Sequence, residues 1–265
     1  MLLPDKTAVI YGGGGAIGSA TARAFAREGA QVYLAGRTLT KLEAVADEIR
    51  RAGGKAEVAQ VDAMDEMAVG EHADEVAKAA GGIDIALNAV GVMHVQGTTF
   101  EHLSLADYQQ PISAYTRTHF ITAKAVAKHM VRQGSGVILM LSTPGSRIPG
   151  TGFLGFGVTC AAIETTSRLL AVELGPSGIR VVCLRPDAIP EAVAAGSHSR
   201  DVFAPAAAKA GLTVSDMLAG AAGNTLLKRL PTLSEVADTA AFLASDRASA
   251  ITGAVTNVTC GSLVD

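Results

Sequence analysis

Tryptophan is absent from this 265-residue chain and aromatic residues make up only 4% of it, so aliphatic side chains must fill the core, as they do in buried parallel sheets. Cysteine is scarce as well. Cys160, Cys183 and Cys260 are odd in number, far apart and form no C-x-x-C pair. That argues against a disulfide framework and a zinc site, and points to a reducing compartment. No apolar run approaches the about 18 residues of a membrane span, and Pro4, Asp5 and Lys6 interrupt the stretch a signal peptide needs. Neither secretion nor membrane insertion is expected, and the expected location is the cytoplasm. Charge of one sign is missing too: 22 Lys and Arg against 25 Asp and Glu are dispersed to a net −3. No basic patch calls for nucleic acid or an anionic membrane, which leaves a small molecule as the expected partner. Internal repeats and low-complexity tracts are also lacking.

The residues that remain alternate between two patterns. Short apolar runs at Thr7–Tyr11, Gln31–Ala35, Ala56–Val61, Ile83–Asn88, Gly136–Leu141, Arg180–Leu184 and Ala254–Val258 read as seven strands. Helix-periodic stretches lie between them, including Ala16–Glu28 closed by Gly29, Lys41–Arg51 closed by Gly53 and Gly54, and Ser234–Ser245 with Ser234 as cap. Regular strand–helix alternation predicts an α/β fold: one domain over residues 1–265, a doubly wound seven-stranded parallel sheet with helices on both faces. Only about 190–230, rich in Ala and Gly, breaks the rhythm. A long connection in a compact domain is often functional.

Chemistry enters at the first strand, which runs into Gly12-Gly13-Gly14-Gly15-Ala16-Ile17-Gly18 and then a helix. Glycines admit backbone amides close to a diphosphate, and the helix N-terminus adds partial positive charge. The second strand ends in Ala35-Gly36-Arg37, where no acidic residue is available for ribose hydroxyls and a guanidinium is available for a 2′-phosphate. Asp62 follows the third strand and Asn88-Ala89-Val90-Gly91 the fourth. Further on come Thr143, a helix bearing Phe156 and Cys160, the run Leu174-Gly175-Pro176, and Phe242-Leu243-Ala244-Ser245-Asp246.

In this order, and over essentially the whole chain, these landmarks resemble the short-chain dehydrogenase/reductase family, whose fold is of the Rossmann type. The resemblance implies a nicotinamide dinucleotide, NADP(H) rather than NAD(H) from Gly36 and Arg37. It implies cofactor contacts from Gly12, Gly14, Gly15, Ala16, Ile17, Gly18, Arg37, Asp62, Ala63, Asn88, Ala89, Val90, Gly91, Pro186 and Ile189. It also implies a homodimer or homotetramer and a substrate lid at about 190–230, whose Ala, Val, Phe and Met content points to a small, partly apolar substrate. The family transfers hydride while a Tyr gives or takes a proton, helped by Ser, Lys and Asn. Laid over that pattern, Thr143 stands for Ser, Phe156 for Tyr, Cys160 for Lys and Tyr115 for Asn, so the proton chemistry departs from the family's.

Candidates for the missing acid are Tyr115, His94 after the Gly91 turn, and His119 one turn beyond Tyr115, while Thr143 keeps a hydroxyl for a carbonyl. Cys160 reads as a small apolar filler, because no neighbour in sequence activates its thiol. Asp187 and Glu191, where the family has Gly and Thr, lie either near the nicotinamide or in solvent. Three functions stand: an NADP(H)-dependent oxidoreductase with a non-standard active site, a catalytically silent dinucleotide-binding protein, and a non-redox lyase, isomerase or cyclase.

Overall fold

The computed structural model describes residues 1–264 and contains all seven strands. They are β1 (Thr7–Tyr11), β2 (Gln31–Gly36), β3 (Lys55–Gln60), β4 (Ile85–Asn88), β5 (Gly136–Leu141), β6 (Ile179–Pro186) and β7 (Val255–Val258). All pair in parallel, in the order β3-β2-β1-β4-β5-β6-β7. Side-chain alternation along each strand sorts the core into two layers. Ala8, Ile10, Val32, Leu34, Ile85, Leu87, Leu139 and Val182 face one way, against α1 (Ala16–Arg27), α2 (Leu39–Arg51) and α9 (Leu233–Ala244). Val9, Tyr11, Ala35, Ala86, Ile138, Met140 and Val181 face the other, against α3 (Glu66–Ala80), α4 (Leu105–Gln133) and α5 (Leu154–Leu174). Each fully buried Val, Leu or Ile contributes about 1.5–3 kcal/mol, so the aliphatic composition suffices without tryptophan.

Two sequence expectations are corrected. The last helix begins at Leu233 rather than at a Ser234 cap: the Thr232 hydroxyl accepts from the Glu235 amide while the Glu235 carboxylate accepts from the Thr232 amide. This is a capping box, which needs the three-residue spacing from Thr232 and not the neighbouring Ser234. The irregular stretch after β6 is largely helical, as α6 (Pro190–Ala194), α7 (His198–Lys209) and α8 (Val214–Asn224).

His119 does not join the candidate site. It is buried in the layer beneath the sheet, Nδ1 has no hydrogen-bond partner, and burial pulls its pKa down to about 4. Burial does the same to His72, whose Nδ1 lies 3.4 Å from the Tyr11 hydroxyl. Both are neutral in the fold. Because their folded pKa lies below the unfolded value, stability is complete above about pH 6.5 and falls as the pH drops from there to about 4, by about 3 kcal/mol per histidine. Urea unfolding at pH 7 and pH 4.5 is expected to show this loss, and His119→Leu is expected to flatten it. An equal loss with and without His119 contradicts the assignment.

Candidate functional site

The glycine segment turns between β1 and α1 with no room to spare. Gly12 adopts φ +80, and a methyl on it would strike the Ala89 carbonyl and the Val90 amide. A methyl on Gly18 would strike the Gly12 carbonyl. Gly15 is the N-cap of α1, and no side chain caps the helix and no acidic residue sits in its first turn. The amides of Ala16, Ile17 and Gly18 therefore present the unscreened positive end of the helix to the groove. By contrast, Asp65, Ser104, Thr213 and Thr232 cap α3, α4, α8 and α9. These features fit a diphosphate.

Gly36 ends β2 and Arg37 follows it, exposed, with its carbonyl held by Gln60 Nε2 at 3.0 Å and its guanidinium in solvent. Asp62 and Ala63 follow β3. The exposed Asp62 carboxylate accepts from the Met64 amide at 3.0 Å, while Ala63 is buried. At the end of β4, Asn88 is buried: its Oδ1 accepts from the Val90 amide at 3.0 Å and its Nδ2 donates to Thr122 at 3.1 Å. That fixes the turn Ala89-Val90-Gly91. Pro186 and Ile189 are both buried at the end of β6 and before α6.

The other half of the groove is an aromatic cluster. Gly155, in the first turn of α5, lies so close to the Tyr108 carbonyl of α4 that a methyl there would clash, and this contact sets the neighbouring Phe156. Phe156 stacks on His94, with ring centroids 4.3 Å apart and planes 13° apart, and meets Tyr115 edge-on at 6.1 Å. His94 Nδ1 lies 2.8 Å from the Val92 carbonyl, which can only accept, so Nδ1 carries the proton; Nε2 then accepts from Gln96 at 2.7 Å. Both ring nitrogens are used. The Tyr115 hydroxyl donates to the Val92 carbonyl at 3.2 Å and accepts from the Val92 amide at 3.1 Å.

One turn along α5 from Phe156, Cys160 is 1% exposed and its Sγ lies 3.2 Å from Thr143 Oγ1. Thr143 also accepts from the Gly145 amide at 3.3 Å, capping the short helical turn Pro144–Ser146. Beneath them the Glu164 carboxylate accepts from Ser142 at 3.1 Å, Ser146 at 2.6 Å and Arg185 at 3.4 Å.

Electrostatically this end is quiet. Burial pushes the Tyr115 phenol up to about 12, against a smaller opposing effect of the Val92 hydrogen bond. Burial raises the Cys160 thiol and lowers His94. At neutral pH every one of these groups is uncharged.

Thus Thr143, Tyr115, Phe156, Cys160 and His94 converge as expected, and His119 does not. Glu191 is exposed to solvent and Asp187 is half-buried, and neither is aimed at the cluster. Asp187 accepts from Ser262 and from the Ala188 amide, and Glu191 accepts from the Leu233 amide at 2.7 Å, at the start of α9. Sequence reasoning missed Gln96, the Glu164–Arg185 pair and the contact of His198 with the Tyr115 hydroxyl, 3.4 Å away. The glycine at 91, which leaves room for that imidazole, is the one signal that pointed to it.

Comparison with known proteins covers nearly the whole chain. A family profile described as enoyl-(acyl carrier protein) reductase matches residues 14–262. An uncharacterized oxidoreductase of Mycobacterium tuberculosis (strain CDC 1551 / Oshkosh) is 32% identical over 98% of this chain and 92% of its own. (+)-cis,trans-Nepetalactol synthase of Nepeta racemosa is 30% identical over 95% of this chain and 88% of its own. Among solved structures, 7α-hydroxysteroid dehydrogenase complexed with NADH and 7-oxo glycochenodeoxycholic acid matches with a TM-score of 0.85 at 26% identity, covering 99% of this chain and 96% of that one.

Proposed function

Because the chain belongs to the short-chain dehydrogenase/reductase family, we propose that it binds NADP(H) at the carboxyl ends of β1, β2 and β4 and acts as an oxidoreductase without the usual phenolic proton donor. The observation that carries this reading is the contrast between the two halves of the groove. At one end the uncapped α1 amides, Gly36 and Arg37 have the donors and charge that a 2′-phosphorylated adenosine diphosphate requires. At the other, Phe156 and Cys160 have lost the proton donor and the cation.

In this reading the amides of Ala16, Ile17 and Gly18 bind the diphosphate, Arg37 reads the 2′-phosphate and Asp62 receives the adenine amine. The nicotinamide, when bound, supplies the hydride acceptor or donor. Thr143 orients a substrate carbonyl, and the exposed apolar side chains of Met93, Val95, Ile148 and Phe153 beside the cluster support a partly apolar substrate. Helices α4 and α5 expose Phe120, Leu169 and Val172, which supports a homodimer or homotetramer formed through them. Among the described residues no helix is long and apolar enough to cross a membrane; the free thiols of Cys160, Cys183 and Cys260 support a reducing, cytoplasmic location.

The steroid dehydrogenase relative is complexed with NADH, so the preference for NADP(H) rests on Gly36 and Arg37. Arg37→Ala is expected to weaken NADPH by about 10–100-fold, the worth of a charge-assisted phosphate contact, and to leave NADH unchanged. Equal losses for both, or no loss, contradict Arg37 as the phosphate reader.

A second reading, a silent dinucleotide-binding protein or a non-redox enzyme, draws on the full engagement of both His94 nitrogens. The relative named as a synthase keeps the non-redox branch open. Ketone-dependent oxidation of NADPH separates these readings from the first.

A further inference from the structure

Sheet order places β4 between β1 and β5. A ligand that reaches from the glycine turn after β1 to Thr143 after β5 therefore has to cross the carboxyl end of β4, at Asn88–Gly91. In this structure that crossing is occupied by the protein itself. The imidazole of His198, the first residue of α7, lies against Gly91 so closely that a methyl on Gly91 would collide with Cε1 and Nδ1. Its Nε2 is 3.4 Å from the Tyr115 hydroxyl, and Ser197 Oγ is 3.5 Å from Nδ1. From there side chains continue through Tyr115, His94 and Phe156 to the end of β5, with no break between rings. The glycine turn differs: around it stand the uncapped α1 amides and the exposed Arg37.

The segment that carries His198 is built to move as a piece. Gly196, at φ +74 with open space around it, joins α6 to Ser197, whose side chain caps no backbone amide of α7. Helix α7 buries only Val202 and Ala207, and touches the loop after β4 again where Ala206 meets Gly97. Few buried contacts and a glycine joint are what a low-stability, displaceable element shows.

We propose that His198 determines which part of a dinucleotide the resting cleft accepts: the 2′-phosphorylated adenosine diphosphate half enters the cleft as it stands, whereas the nicotinamide riboside half enters only after His198 leaves Gly91. The proposal rests on the NADP(H) reading above. It makes the nicotinamide end the conditional part of the site, so that part of the binding energy of the whole cofactor goes into displacing α7. A ligand confined to the adenosine end avoids that displacement.

The test is calorimetric titration of the full chain and of His198→Ala with adenosine 2′,5′-bisphosphate and with NADPH. In the wild type the bisphosphate is expected to bind at least as tightly as NADPH. In His198→Ala the affinity for NADPH is expected to rise about tenfold, as for a competent form populated at roughly a tenth, with the bisphosphate unchanged. Unchanged bisphosphate binding also reports that the variant's cleft is folded. NADPH binding that is much tighter than the bisphosphate in the wild type, and unchanged or weaker in His198→Ala, overturns the proposal. If neither ligand binds the wild type, the NADP(H) reading itself fails, and the proposal falls with it.

Discussion

Restoring phenol, ammonium and amide together, in the variant Phe156→Tyr, Cys160→Lys, Tyr115→Asn, is expected to raise NADPH-dependent ketone reduction by about 10²–10⁴, the worth of a positioned general acid. The scaffold for it is in place. Positions 156 and 160 lie one turn apart on α5, on the face that meets Thr143, and Gly155 fixes the start of that helix against α4. The single change Phe156→Tyr is expected to give little. Tyr115, in the same cluster, has its phenol pushed up to about 12 by burial, and a second phenol beside it meets the same desolvation unless a cation offsets it. Cys160→Lys supplies that cation, and Tyr115→Asn makes room while releasing the Val92 loop. Steady-state oxidation of NADPH with a panel of ketones measures the outcome. A triple variant that binds NADPH and stays inactive would show that more than the acid is missing.

Replacing Glu164 with Leu is expected to lower stability by about 3–5 kcal/mol, the usual consequence of breaking a buried ion pair from one side. That corresponds to a fall of about 10 °C in Tm for a chain of this size. Arg185 is 1% exposed and Glu164 only 4% exposed. The carboxylate also holds the hydroxyls of Ser142 and Ser146, which flank Thr143. Its loss removes an ion-pair partner from a buried guanidinium and loosens the segment that presents Thr143. The double variant Glu164→Leu, Arg185→Leu is expected to recover most of the loss, because both charges of the pair are removed together. Thermal unfolding of the two variants decides this. A single change costing under about 1 kcal/mol contradicts the role given to the pair.

The strands were legible to within one or two residues because buried parallel strands are short apolar runs bounded by turn residues, and no competing pattern of that length exists here. The glycine turn was legible because its spacing is local. Thr143, Phe156 and Cys160 were placed together by the resemblance to the family's catalytic segment, which is contiguous enough in sequence to be matched. The helices of 190–230 were not legible, since α7 and α8 bury only Val202, Ala207 and Leu218, too few apolar positions to make a stripe. The contact between His198 and Tyr115 spans 83 residues, and the Glu164–Arg185 pair joins α5 to β6. Tertiary packing alone brings such partners together. His119 was misplaced for a related reason: one turn beyond Tyr115 on α4 seemed near enough to reach the cluster, but α4 turns that side chain into the layer beneath the sheet.

The central claim is that the adenosine end of the groove receives a phosphorylated dinucleotide while the opposite end has given up its proton donor. Titration of the purified wild-type protein with NADPH and with NADH, followed by calorimetry or nicotinamide fluorescence, tests it most directly. The account predicts saturable NADPH binding and NADH weaker by about tenfold or more. Binding of neither nucleotide, or NADH bound more tightly than NADPH, contradicts it.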